Sequence, residues 1–133
     1  MADMSQADKG GLLARELGIL LTEHQGREVT ALDLRGLNSW TDFFVIATVS
    51  SGAHLSGLER HIKDYCREHE VEILRRSCRP DKGRDGQGSR AQDEWRILDL
   101  GVLVIHLMSK RAREFYELER LWSEALVIYG PAE

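Results

Sequence analysis

The groups that could do chemistry in this 133-residue chain are five histidines, two cysteines and the carboxylates near apolar runs. His54, His61 and His69 surround one helical stretch. His54 and His61 lie two turns apart, whereas a compact zinc pair on a helix needs i and i+4. Zinc takes three or four convergent ligands, so these three, and His24 in a turn region, read as surface residues. Cys66 and Cys78 belong to no C-x-x-C pair, and two thiols build no disulfide framework, so they read as reduced cysteines. Phosphate transfer would need a Gly-Ser turn and two or three carboxylates converging on magnesium. Ser50, Ser51 and Gly52 imitate the turn loosely, but no Asp-x-Asp or Asp-x-Glu falls in an apolar strand. Asp33 and Asp99 stand alone, and their plainer role is to end strands and accept from turn amides. His106 is the one polar side chain within its strand and reads as a buried, hydrogen-bonded group. What remains distinctive is apolar and aromatic, the stretch from Trp95 to Trp122. Trp95 follows a long polar segment and starts a strand. The residues alone leave it open between core and an exposed anchor, since tryptophan is frequent among binding hot spots.

Elements must hold these groups in place. Leu13, Leu17, Leu20 and Leu21 fall on one helical face and predict a helix over Lys9 to Glu23, ended by Gln25 and Gly26. Glu28 to Leu34 reads as a strand. Phe43 to Val49 is an apolar run of strand length, expected to be central and covered on both faces. Ser50 or Ser51 offers a cap to the next helix, where Leu55, Leu58, Ile62 and Tyr65 recur at helical spacing. Val71 to Leu74 reads as a short strand. Arg79 to Glu94 carries glycines, a proline and both signs of charge, with no apolar residue larger than Ala91, and is expected to be a mobile loop. Trp95 to Leu100 and Val102 to Met108 form a hairpin about Gly101. Ser109 caps a last segment, in which Leu118, Leu121, Trp122 and Leu126 make a helical stripe. Its alternating charges, with Arg113 and Glu117 or Glu117 and Arg120 within pairing distance, suit a solvated helix face. The order is helix, strand, strand, helix, strand, strand, strand, helix. That implies one α/β domain, a mixed sheet of about five strands with helices packed on it. The expected layout is a disordered start over 1–8, a domain over 9–128 containing the loop 79–94, and a tail over 129–133.

Composition narrows the function classes. Apolar residues make up 42% of the chain and charged residues 30%, as in ordinary globular domains. The net charge of -4 argues against a general nucleic-acid binder, because phosphates demand a basic surface, and suits a basic protein partner better. There is no run of 18 apolar residues, so no span is expected. MADMSQADKGG has no apolar signal core and lacks the arginines of transit peptides, so a cytoplasmic location is expected.

Two blocks in order resemble the ribosomal silencing factor family, also called RsfS or Iojap-like. One reads roughly W-x-x-x-D-x-G-D-x-x-x-H followed by R-x-x-Y-x-L-E-x-L-W. It is matched here by Trp95, Asp99, Gly101, His106, Arg113, Tyr116, Leu118, Glu119, Leu121 and Trp122. The other is matched by Leu32, Asp33, Ser39, Asp42 and the run from Phe43 to Thr48. The likeness extends from about Leu12 to Leu126. It implies a nucleotidyltransferase-like topology and a non-enzymatic protein without cofactor or metal. It further implies a homodimer that binds the large ribosomal subunit through large-subunit protein fourteen and sterically blocks joining of the small subunit. On this resemblance the partner-binding residues are Trp95, Leu98, Asp99, Leu100 and His106, with Trp95 an exposed anchor. Two departures stand out: Val102 occupies the place of the family's Asp after the turn glycine, and the loop before Trp95 is longer. The competing readings are a nucleotidyltransferase-like enzyme with displaced acidic residues, and a dimeric adaptor unconnected with ribosomes.

Overall fold

The computed structural model describes residues 6–36, 41–78, 95–116 and 125–130. Its elements are α1 (Gln6–Glu23), β1 (Arg27–Asp33), β2 (Phe43–Val49), α2 (Gly52–Glu68), β3 (Arg75–Cys78), β4 (Trp95–Asp99), β5 (Leu103–Ser109), α3 (Lys110–Tyr116) and β6 (Leu126–Tyr129). The strands form one sheet in the order β3-β4-β5-β2-β1-β6. β2 and β5 run parallel at its centre, and the neighbouring pairs are antiparallel, so the sheet is mixed.

β2 is buried at every position and apolar at all but Thr48, because both its faces are covered. Phe43, Val45, Ala47 and Val49 enter the core beneath α1 and α2, while Phe44 and Ile46 enter a second cluster on the opposite face. α1 presents Ala14, Leu17 and Leu21 to the first core. It stops where Gln25 turns to φ +75° and the Gly26 amide reaches back to the Leu21 carbonyl at 2.7 Å. α2 starts at the Ser51 hydroxyl, which accepts from the His54 amide at 3.0 Å, and buries Leu55, Leu58, Ile62 and Cys66. The same face buries Glu59. Its carboxylate accepts from Arg96 on β4 and Arg76 on β3 and pairs with Lys63 at 3.3 Å, fastening α2 to that edge of the sheet. Burial alone would raise the Glu59 pKa; the Arg76 hydrogen bond and the Arg96, Arg76 and Lys63 charges outweigh it and hold the carboxyl below its ordinary value. On the other face the Ser109 hydroxyl accepts from the Ala112 amide at 3.0 Å and starts α3. Buried Arg113 then donates to Thr48 at 2.9 Å and Thr30 at 3.3 Å, tying α3 to β2 and β1.

Four expectations are corrected. The helix begins at Gln6, inside the stretch read as disordered. The strand read at Val71 to Leu74 lies four residues later, at Arg75–Cys78, because the ladder with β4 starts only where Arg75 faces Asp99. Val71 and Ile73 pack against the core without joining the sheet. Leu126 belongs to a sixth strand instead of a helical stripe, since β1 has an open edge and pairs with Leu126, Val127 and Tyr129. That strand also takes in Tyr129, placed in the tail by sequence. The loop 79–94 and Leu118, Leu121 and Trp122 lie outside the described residues.

Candidate partner-binding surface

The β4–β5 hairpin gathers all five residues singled out from the sequence. Its turn is set by Asp99, whose Oδ1 accepts from the Gly101 amide at 2.8 Å, and by the Leu100 amide, which donates to the Leu103 carbonyl at 2.9 Å. Gly101 sits at φ +90°, a conformation that suits glycine. Asp33 does the same work at the end of β1, accepting from the Arg35 amide at 3.0 Å. Its side chain also takes the Arg35 guanidinium, a hydrogen bond that is the main reason its carboxyl titrates below the ordinary value. Asp33 and Asp99 therefore end strands and accept from turn amides. β5 and β2 stand between their strands, so three strand spacings, roughly 14 Å, separate them and no shared cation can bridge them. Among the described residues no three His, Cys, Asp or Glu side chains are placed to hold a metal ion.

Alternation along β4 decides who faces outward. Leu98 is fully buried in the core beneath the helices, and Leu100 is 7% exposed in the same cluster. Trp95 points to the opposite face, where an open surface was expected. It is instead 5% exposed, packed in the second cluster with Phe44, Met108 and Ala112. The reason lies in its diagonal neighbour. Ile97 faces His106 across the ladder, so Trp95, two residues earlier, reaches the imidazole and donates Nε1–H to Nδ1 at 3.0 Å. An indole can only donate, so Nδ1 must be the unprotonated nitrogen and Nε2 carries the hydrogen. The His106 ring stands edge-on to Phe44, centroids 4.6 Å apart, and Nε2 has no hydrogen-bond partner among the described residues. Desolvation pulls the His106 pKa down to about 3 and keeps the ring neutral. Trp95, Leu98, Leu100 and His106 are thus framework that shapes the hairpin. Asp99 alone of the five remains within reach of solvent, its Oδ2 3.2 Å from the exposed Arg75 guanidinium.

The exposed part of the surface was missed by the sequence reading. Leu74 is 53% exposed and leans over the hairpin turn, its Cδ1 3.2 Å from where a Cβ on Gly101 would stand. Its amide donates to the Asp99 carbonyl at 2.8 Å, which holds it there. Leu74, Arg75 and Asp99 make an apolar and charged platform at the hairpin tip. One signal was available: Val71 and Ile73 turn inward, so the outward phase of that alternation places a large leucine in solvent. The helix histidines also differ from expectation. His54 and His61 are half-buried; His61 stacks on His24 with centroids 3.6 Å apart, and His54 lies 3.1 Å from the His24 carbonyl.

Fold and surface together define a small mixed α/β domain that presents a hairpin tip. A family model described as ribosomal silencing factor during starvation matches residues 6–132, and the chain belongs to that family. The ribosomal silencing factor RsfS of Treponema pallidum is 35% identical over 107 residues, which are 80% of this chain and 86% of that protein. The mouse protein named mitochondrial assembly of ribosomal large subunit protein 1 is 32% identical over 105 residues, 78% of this chain and 42% of its own length. A Chromobacterium violaceum crystal structure shares the fold, with a TM-score of 0.65 at 23% identity over 99% of this chain and 91% of that one. No helix among the described residues is long and apolar enough to cross a membrane.

Proposed function

We propose that this protein binds the large ribosomal subunit at large-subunit protein fourteen and, by its bulk, prevents the small subunit from joining. It represses translation in the cytoplasm, works as a homodimer, and needs no cofactor and no catalytic step. The observation that carries this reading is the family match across residues 6–132. The mouse relative's name, which concerns assembly of the large ribosomal subunit, supports the choice of subunit. The platform at the hairpin tip supports the mode of action. Leu74 offers apolar area, and Arg75 and Asp99 offer charge of both signs beside a turn fixed by the bonds of the Gly101 and Leu100 amides. A standard interface buries roughly 1,600 Å² in total, more than the tip alone supplies, so neighbouring surface must join it.

The test uses separated ribosomal subunits on a sucrose gradient. Added protein should hold the subunits apart and cosediment with the large one, and a photo-crosslinker beside Leu74 should capture protein fourteen. Preformed couples should resist. Equal inhibition of separated and preformed couples, or crosslinks confined to the small subunit, would refute the reading.

A further inference from the structure

One open cavity of about 320 Å³ lies between α1, the end of β1, the start of β2 and Ile128 of β6. That is at the small end of the roughly 300–1,000 Å³ of ligand sites, enough for one compact molecule. Among the described residues its lining is of two kinds. One part is apolar and consists of Leu12, Phe43 and Ile128. Leu12 is 48% exposed. α1 opens the space by carrying a glycine at position 11, where a Cβ would rest on the Phe43 ring at 3.4 Å. The other part is charged. Arg15 is exposed and, among the described residues, meets no carboxylate. Asp33 is held by the guanidinium of Arg35, which also stands 5.2 Å from the centre of the Phe43 ring. The cavity thus sets an available guanidinium, a carboxylate fixed in place and an apolar wall around one small volume.

We propose that this cavity binds a free α-amino acid with an apolar side chain, such as leucine. Arg15 suits the α-carboxylate, which a guanidinium grips through two parallel hydrogen bonds. Asp33 suits the α-ammonium. It stays charged through the neutral range, because the Arg35 hydrogen bond holds its carboxyl below the ordinary value. The apolar wall takes the side chain. Other occupants fit worse. A nucleotide would crowd several negative charges beside Asp33. A carboxylate without an ammonium would leave Asp33 unanswered, and an amine without a carboxylate would leave Arg15 so. A zwitterion with an apolar body satisfies all three parts of the lining.

The experiment is titration calorimetry on the full chain without ribosomes, so its outcome is independent of the ribosomal reading. Leucine should bind with a dissociation constant on the order of 0.1–1 mM, in keeping with so small a ligand. Isocaproate, which lacks the ammonium, and isoamylamine, which lacks the carboxylate, should each bind at least about tenfold more weakly. Arg15→Gln should weaken leucine binding by about tenfold and leave the weak binding of isoamylamine unchanged. Asp33→Asn keeps an oxygen for the Arg35 amide and should bring leucine down to the level of isocaproate. Gly11→Leu should fill the cavity and abolish binding without lowering Tm, since a helix favours leucine over glycine. If Asp33→Asn fails to fold, the comparison of the three ligands on wild-type protein still decides. Absence of leucine binding at concentrations far above that constant would overturn the proposal. So would isocaproate or isoamylamine binding as tightly as leucine, leucine binding indifferent to Arg15→Gln, or full binding by Gly11→Leu.

Discussion

Mild acid should loosen this protein through one side chain, His106. Its imidazole is 6% exposed and must be neutral to accept the Trp95 indole hydrogen. Burial pulls its pKa from 6.5 to about 3. In the unfolded chain the ring takes a proton below about pH 6.5, while the folded protein refuses it. The stability tied to the neutral ring is therefore complete above pH 6.5 and is lost progressively as the pH falls from there towards 3. Between pH 7.5 and pH 5 the linkage relation gives a loss of about 2 kcal/mol. For a domain of this size that lowers Tm by about 7 °C. The carboxylates held down by arginines, Asp33 and Glu59, have ordinary values of 3.8 and 4.5, so their own losses begin lower. Urea unfolding at pH 7.5, 6 and 5 reads the effect. His106→Phe keeps a ring against Phe44 and Trp95 but cannot titrate; it should cost about 1 kcal/mol at pH 7.5, for the lost hydrogen bond, and lose nothing further by pH 5. A wild-type curve that is flat across this window, or a variant that falls as steeply as wild type, would refute the reasoning.

Trp95→Ala should cost about 3–5 kcal/mol of unfolding free energy, read from urea midpoints; a variant within 1 kcal/mol of wild type would return Trp95 to the surface. Glu59→Gln should cost about 3 kcal/mol or more, because the buried Arg96 guanidinium then loses the charge of the Glu59 carboxylate; near-normal stability would show that the ion cluster contributes nothing net. Leu74→Ser should leave Tm within a few degrees, since the side chain is half in solvent, and weaken large-subunit binding by about tenfold, or 1.4 kcal/mol. Unchanged binding would move the contact away from the hairpin tip.

Periodicity made the centre of this molecule legible. Phe43 to Val49 is apolar at every position but Thr48, and such a run has no stable home except a strand covered on both faces, which is where it lies. The caps were legible too, Ser109 outright and the other as Ser50 or Ser51, of which Ser51 serves, since a hydroxyl before a helical stretch has a free amide to satisfy. The edges were harder to read. β3 is Arg-Arg-Ser-Cys, and nothing apolar announces a strand whose existence depends on backbone pairing with β4. β6 is apolar but short, and Leu126 also continued a helical spacing; only the open edge of β1 decides between them. Trp95 was misplaced for a related reason. A tryptophan beside a polar loop looks exposed until the register shows that His106 is in diagonal reach and accepts its only polar hydrogen. Local pattern carried what is local, and pairing across the sheet carried the rest.

The departure at Val102 shows how the family motif and the fold interact in this chain. The family pattern has an aspartate after the turn glycine, which suggests an acid lost from the binding surface. Val102 is not at the platform. Its Cγ2 would stand 2.6 Å from a Cβ on Gly10, and the Phe43 ring would be met at 3.0 Å, so α1 lies directly over it. A glycine inside a helix costs about 1 kcal/mol relative to alanine, and here it admits the close approach. The Val102 carbonyl also accepts from the amides of Asp42 and Phe43, at 3.1 and 3.2 Å, and from the Thr41 hydroxyl at 3.3 Å. The position thus joins the hairpin turn to the start of β2 and to the first turns of α1. What the substitution exchanges is a charged end of the hairpin for an apolar contact beneath the helix. The surface that remains charged is one turn away, where Asp99 and Arg75 face each other in the open.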